Sequence, residues 1–237
     1  MYDEILKDRI EAGLLLSDKL MKYQNSNTVI LAVPRGGVPV GYVIAKKLHL
    51  PLDIVLSKKI PHPLNKEFAV GAVSLDSMIV DEHLNIPNHY INDEIIRLRE
   101  SLQEKYELYR GKQKPLDIKG KNVIIVDDGI ATGNTLLASI AMLRKKNPEK
   151  IIVAVPVIPY DRVKIFQQKA DEFVYLIASK YFSAVGQFYE QFSQVADEEM
   201  IQILREANAI AKNVYYEKPR NRNSFIIDTF KRRFGDS

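Results

Sequence analysis

An α/β fold, with a mainly parallel sheet and helices on both faces, is what the 237-residue sequence predicts. Three observations carry that expectation. Short continuous runs of branched apolar residues (VILAV at 29–33, VIIV at 123–126, IIVAV at 151–155) read as strands buried on both faces. Segments with helical apolar spacing alternate with them, the pattern of βαβ units. The composition, 46% hydrophobic and 27% charged, is enough for a sizeable core. The sequence has no cysteine, which excludes disulfide scaffolds, thiol nucleophiles and cysteine-ligated metal centres.

In chain order, Ile5, Leu6, Ile10, Leu14 and Leu15 place a helix over Asp3 to Tyr23. Strand 29–33 meets Pro34-Arg-Gly-Gly37, and a helical pattern resumes from Val38 to Leu48. Asp53 to Leu56 is a second strand, and Ser57 to Phe68, with two prolines, reads as a loop. Ala69 to Ser74 and Met78 to Val80 form a hairpin across Asp76-Ser77, and Asn92 to Tyr109 a charged helix. After strand 123–126, Leu136, Leu137, Ile140 and Leu143 mark one helix face. Arg144 to Lys146 suit its dipole and Asn147-Pro148 stops it. Strands at 151–155 and Phe173 to Ile177 follow, and a helix from Asp197 to Lys212 closes the body.

The net charge of +4 is uneven. Val214 to Ser237 holds six Lys/Arg and three Asp/Glu, so the body is nearly neutral, which argues against a dedicated nucleic-acid binder. The N-terminus is too charged for a signal peptide, and no apolar run approaches the ~20 residues that span a bilayer. A cytoplasmic protein without a membrane span is expected.

Two strand–turn–helix junctions stand out, VILAV-PRGG-VPVG and VIIV-DDGIATGNT-LL. Free N–H groups and the dipole at a helix start make an anion site. Thr132-Gly133-Asn134-Thr135 offers consecutive amides and two hydroxyls suited to a terminal phosphate, without the Gly-Lys-Ser/Thr ending of a Walker loop. Asp127 and Asp128 would repel a phosphate directly. A sugar whose hydroxyls meet the acids while its phosphate enters the turn fits, as does a Mg2+ shared with a second phosphate.

Val123 to Thr135 resembles the phosphoribosyl pyrophosphate (PRPP) signature of the type I phosphoribosyltransferases. The resemblance implies that fold, with a small hood, and Mg2+-dependent transfer of ribose 5-phosphate from PRPP to an acceptor, often a nitrogenous base, with loss of pyrophosphate. It implies that Asp127 and Asp128 address the ribose hydroxyls directly or through Mg2+. It further implies that Ala131, Thr132, Gly133, Asn134 and Thr135 wrap the 5′-phosphate. Arg35, Gly36 and Gly37 resemble the pyrophosphate loop, where a non-proline cis peptide is often found, which draws attention to Pro34–Arg35. SKKIPHPLNKEFAVGAV (57–73) corresponds to the mobile loop over PRPP, with Lys58 and Lys59 toward pyrophosphate. LKDRIEAG, LAVPRGGVPVG, NKEFAVGAVS and FSAVGQFYEQFSQVADEE resemble bacterial and archaeal phosphoribosyltransferases without an agreed substrate, over roughly residues 4 to 213. In that pattern Lys58 stands for an arginine, Pro61 and Leu64 for glycines, and Lys66 for a proline.

The expected organisation is a single domain over 1–213, its hood roughly 178–213, and a basic tail over 214–237. Phe182 and Tyr189 are the acceptor-stacking candidates, though for any single such ring a place in the seam between hood and sheet is the favoured reading. Asp127, Asp128, Arg35 and Lys59 are the expected catalytic set, and a homodimer is a candidate assembly. A second class of function is a PRPP or nucleotide sensor of the same fold, with the tail as its contact surface. A phosphorolytic enzyme using phosphate as acceptor is a third.

Overall fold

The computed structural model describes residues 5–84 and 86–214, without the side chains of Glu82 and 208–214. The basic tail beyond 214 lies outside the described residues. Five parallel strands form the central sheet: β1 (Thr28–Ala32), β2 (Leu52–Ile54), β6 (Asn122–Val126), β7 (Lys150–Pro159) and β8 (Glu172–Ser179). Their order is β2-β1-β6-β7-β8.

Strand alternation divides the core into two layers. Ile30, Ala32, Ile124, Val126, Ile152 and Ala154 face α1 (Arg9–Lys19), α2 (Gly37–Leu48) and α6 (Asp197–Val214). Their neighbours Val29, Leu31, Val123, Ile125, Ile151 and Val153 face α4 (Asn134–Arg144) and α5 (Tyr160–Lys169). Both faces are covered, which is why these strands are continuous apolar runs. The chain leaves β1 toward β2 on one side and continues from β6 toward β8 on the other. The switch point therefore lies between the carboxyl ends of β1 and β6, where open parallel sheets bind ligands.

The structure departs from the sequence expectations in four places. Helix α1 begins at Arg9, because the Asp8 carboxylate accepts from the N–H groups of Ile10 and Glu11, both at 2.8 Å, and caps it there. Leu6 ahead of it instead pairs with Tyr189. The expected loop 57–68 is ordered as β3 (Lys58–His62) and the start of β4 (Asn65–Val73), which form an antiparallel sheet with β5 (Met78–Val80). This sheet packs on α3 (Asn88–Arg110) through Ile60, Val70, Val73, Ile91, Ile95, Leu98 and Leu102. Helix α5 had no apolar signature to reveal it, since Phe166 is its one buried residue. Lastly, the stretch expected to form the hood divides: α6 joins the core layer through Met200, Ile203 and Leu204, and residues 180–195 pack beside the N-terminal segment.

The C-terminal end of α3 is fastened to β2 by a buried pair. Arg110 Nε lies 3.0 Å from Asp53 Oδ1, and the Tyr106 hydroxyl and the Leu116 N–H also donate to that carboxylate. A charge buried this deeply is tolerated because it is paired and hydrogen-bonded.

Candidate active site

Both singled-out turns emerge at the switch point. Ala32 pairs with Val126, and the Val33 N–H donates to the Val126 carbonyl at 2.8 Å, so the two junctions leave the sheet at one level. The Pro34–Arg35 peptide is cis, at the position to which the resemblance drew attention. Gly36 and Gly37 then pass directly over the acidic pair. A Cβ on Gly36 would run into the Asp128 carboxylate, and one on Gly37 would lie 2.6 Å from the Val126 carbonyl oxygen. Only glycine allows this approach.

The second turn is open. Ala131, Thr132, Asn134 and Thr135 are exposed, and among the described residues no side chain caps the start of α4. Gly133 has φ +76°, and a Cβ there would meet the Phe166 ring at 2.7 Å. Its backbone conformation and its neighbour each call for glycine. The arrangement suits an oxyanion received by backbone N–H groups and hydroxyls. Beside it a cleft of about 550 Å³ is lined by Lys59, Phe68, Val70, Asn134, Thr135 and Ala138.

The two acids have unlike surroundings. Arg9 meets Asp128 Oδ2 with Nε at 2.9 Å and Nη2 at 2.8 Å, while Nη1 donates to the Ser193 carbonyl at 2.8 Å. The guanidinium lies over the Phe192 ring, 4.0 Å from its centroid. Tyr189 donates its hydroxyl to the Asp128 carbonyl at 2.7 Å. Burial first, then the Asp128 charge, raises the Tyr189 pKa, so it remains a donor. Asp127 has no ion-pair partner among the described residues, and its Oδ1 accepts from the Asp128 N–H at 2.9 Å. Burial, followed by the charge of Asp128, pushes its carboxyl well above the usual carboxylate range.

Other expected residues are placed as follows. Arg35 lies 3.5 Å from Asp197 at the start of α6, which also accepts from the Tyr109 hydroxyl at 3.0 Å. Lys58 donates to Ser101 Oγ of α3 at 2.5 Å, and burial, then Lys105 and Arg97, lowers its pKa. Lys59, next along β3 and so on its opposite face, is exposed. Phe182 packs on Phe188 at 5.2 Å. Tyr189 is buried, with its ring stacked on Phe192 at 5.0 Å. Its placement is that of a seam residue holding the acidic turn rather than of an open stacking face. Among the described residues no group of three or more His, Asp or Glu could hold a metal ion.

Sequence reasoning passed over Arg9. A signal was present: an arginine in the first turn of a helix sits at the positive end of its dipole, where acids are favoured, so an external acid is the natural reason for it.

The family model of the phosphoribosyl transferase domain matches residues 1–193. The chain belongs to that family. A Mycobacterium tuberculosis protein provisionally named a phosphoribosyl transferase is 34% identical over 220 residues, covering 86% of this chain and 47% of its own length. The chain thus spans about half the length of the curated relatives it matches over most of its extent. The crystal structure of TT1426 from Thermus thermophilus is similar at 35% identity with a TM-score of 0.78, covering 85% of this chain and 98% of that one. A ribose-phosphate pyrophosphokinase of Pyrococcus furiosus is 54% identical over 39 residues, 16% of this chain and 14% of that one. Among the described residues no helix is long and apolar enough to cross a membrane.

Proposed function

We propose that this chain transfers ribose 5-phosphate from PRPP to a nitrogenous base with release of pyrophosphate. The observation that carries this reading is the contact of Gly36 and Gly37 with Asp127 and Asp128, next to an open anion turn at one switch point. A phosphorylated sugar has the matching order of groups: phosphate for Ala131 to Thr135, hydroxyls for the acids, and pyrophosphate toward Arg35, Gly36, Gly37 and Lys59.

The acids fit a hydrated Mg2+, an ion that keeps several waters and takes one or two carboxylates plus substrate phosphate oxygens. The upward shift at Asp127 supports the fit, because a nearby cation relieves a carboxylate that burial and a like charge disfavour. Asp127 and Asp128 would hold the ion, which when bound supplies positive charge to the diphosphate.

The protein's contribution is positioning and charge stabilisation. The α4 amides and the hydroxyls of Thr132 and Thr135 fix the 5′-phosphate. The acids accept from the ribose hydroxyls and face a cationic anomeric centre. Arg35 exchanges Asp197 for the leaving group, and Lys59 adds a point charge. Lys58 is assigned a smaller part because Ser101 already engages it. The β3–β4 hairpin beside the cleft excludes water from the reacting centre. Phe182 or a neighbouring aromatic of the 180–195 segment receives the base.

The test is calorimetric titration of PRPP with Mg2+, followed by assay of pyrophosphate release with purine and pyrimidine bases. Micromolar binding, about −8 kcal/mol, with release for one base supports the transferase. Binding without release for any base favours the sensor, and ribosyl transfer to inorganic phosphate favours the phosphorolytic enzyme. Absence of binding overturns all three.

A further inference from the structure

We propose that Arg9 is a positioning residue of the acidic pair. It takes up the charge of Asp128, so that Asp128 is the anchored member of the pair and Asp127 the leading carboxylate toward a ribose hydroxyl or hydrated Mg2+. This inference rests on the PRPP reading above. Two adjacent carboxylates facing a polyanionic ligand would oppose its entry, and the arginine offsets the charge of one of them.

Four contacts fix the guanidinium: two nitrogens on Asp128 Oδ2, the third on the Ser193 carbonyl, and its face on Phe192. The side chains of Arg9 and Asp128 are only 11% and 14% exposed, so this is not a solvent-screened surface pair. Asp128 is confined from other directions as well, by Gly36 against its carboxylate and by the Tyr189 hydroxyl on its carbonyl. The Asp127 carboxylate, one residue away, has no ion-pair partner among the described residues and accepts from the Asp128 N–H. The acids are therefore unequal before any ligand arrives. Asp128 is a node joining α1, the acidic turn and the 180–195 segment, and Asp127 is the less restrained of the two acids.

The experiment is a double-variant cycle with Arg9→Gln, Asp128→Asn and their combination, plus Asp127→Asn. It is read by Mg2+–PRPP titration and by ligand-free thermal melting. Arg9→Gln should weaken PRPP binding more than about tenfold, because it leaves an uncompensated carboxylate beside the anion. The double variant should recover to within about threefold of Asp128→Asn alone, since the stray charge is then gone. Asp127→Asn should lose binding by itself, with Arg9 and Asp128 in place. A double variant as weak as Arg9→Gln means that Arg9 only props the 180–195 segment and overturns the proposal. So does Arg9→Gln binding like wild type, or Asp127→Asn binding while Asp128→Asn does not. If wild type itself gives no heat, the PRPP reading fails, and melting still reads the charge split. Recovery of the Arg9→Gln melting loss by Asp128→Asn then supports the pairing, and additive losses overturn it.

Discussion

The two junctions at the switch point are built to one recipe and end as different objects. Each takes a buried strand into a helix start through small residues. The β1 turn is closed: Gly36 and Gly37 lie against Asp127 and Asp128, with no room for a side chain. The β6 turn is open beyond its acids, with Thr132, Asn134 and Thr135 exposed and no side-chain cap at the start of α4 among the described residues. A glycine therefore does a different job in each. In the first it permits contact between two segments of protein. In the second, at φ +76°, it lets the chain turn into α4 past the Phe166 ring. The first turn is a wall and the second an open cradle, and the proposed phosphorylated sugar would use both.

Four experiments would break or sharpen this contrast. The largest effect is expected at Asp127→Asn, about a hundredfold or more in PRPP affinity, roughly 3 kcal/mol by calorimetry. The same variant should melt higher than wild type in metal-free neutral buffer. A carboxyl whose folded pKa is raised destabilises the native state once it is ionised. That gain should shrink as pH falls toward the ordinary carboxylate value of about 4 and vanish below it, where both states are protonated. A variant that melts lower at neutral pH and still binds would make Asp127 structural.

Next is Gly36→Ala, where overpacking against Asp128 should lower stability by about 1–3 kcal/mol and reduce PRPP affinity too. Chemical denaturation and titration read the two losses, and an alanine accepted with neither would show that the wall has slack. Gly133→Ala should cost about 1–2 kcal/mol from the left-handed backbone, with further strain against Phe166. Its binding loss should appear equally with ribose 5-phosphate, which lacks the pyrophosphate. Unchanged ribose 5-phosphate affinity would remove the turn from phosphate recognition. The smallest effect separates the lysines: Lys59→Ala should weaken pyrophosphate several-fold, about 1 kcal/mol, and Lys58→Ala less. A reversed order would mean that Lys58 leaves Ser101 when ligand binds.

The sequence by itself determined the layered sheet, the main strands and the glycines and acids of both turns. These depend on a few consecutive residues: branched apolar runs for strands buried on both faces, glycines where the backbone must turn or be approached, and acids directly after a strand. It did not reveal the β3–β4 hairpin, whose Pro61 and exposed residues 64–68 read as a loop, or α5, which buries Phe166 alone. Only tertiary structure decided that Arg9 reaches Asp128, 119 positions away, and that Arg35 meets Asp197. It likewise decided that Tyr189 is buried against the acidic turn, whereas Tyr181 is 84% exposed. The reason is physical. Periodicity and turn preference act between neighbours along the chain, whereas the fate of a charge or ring depends on which distant segment folds back against it.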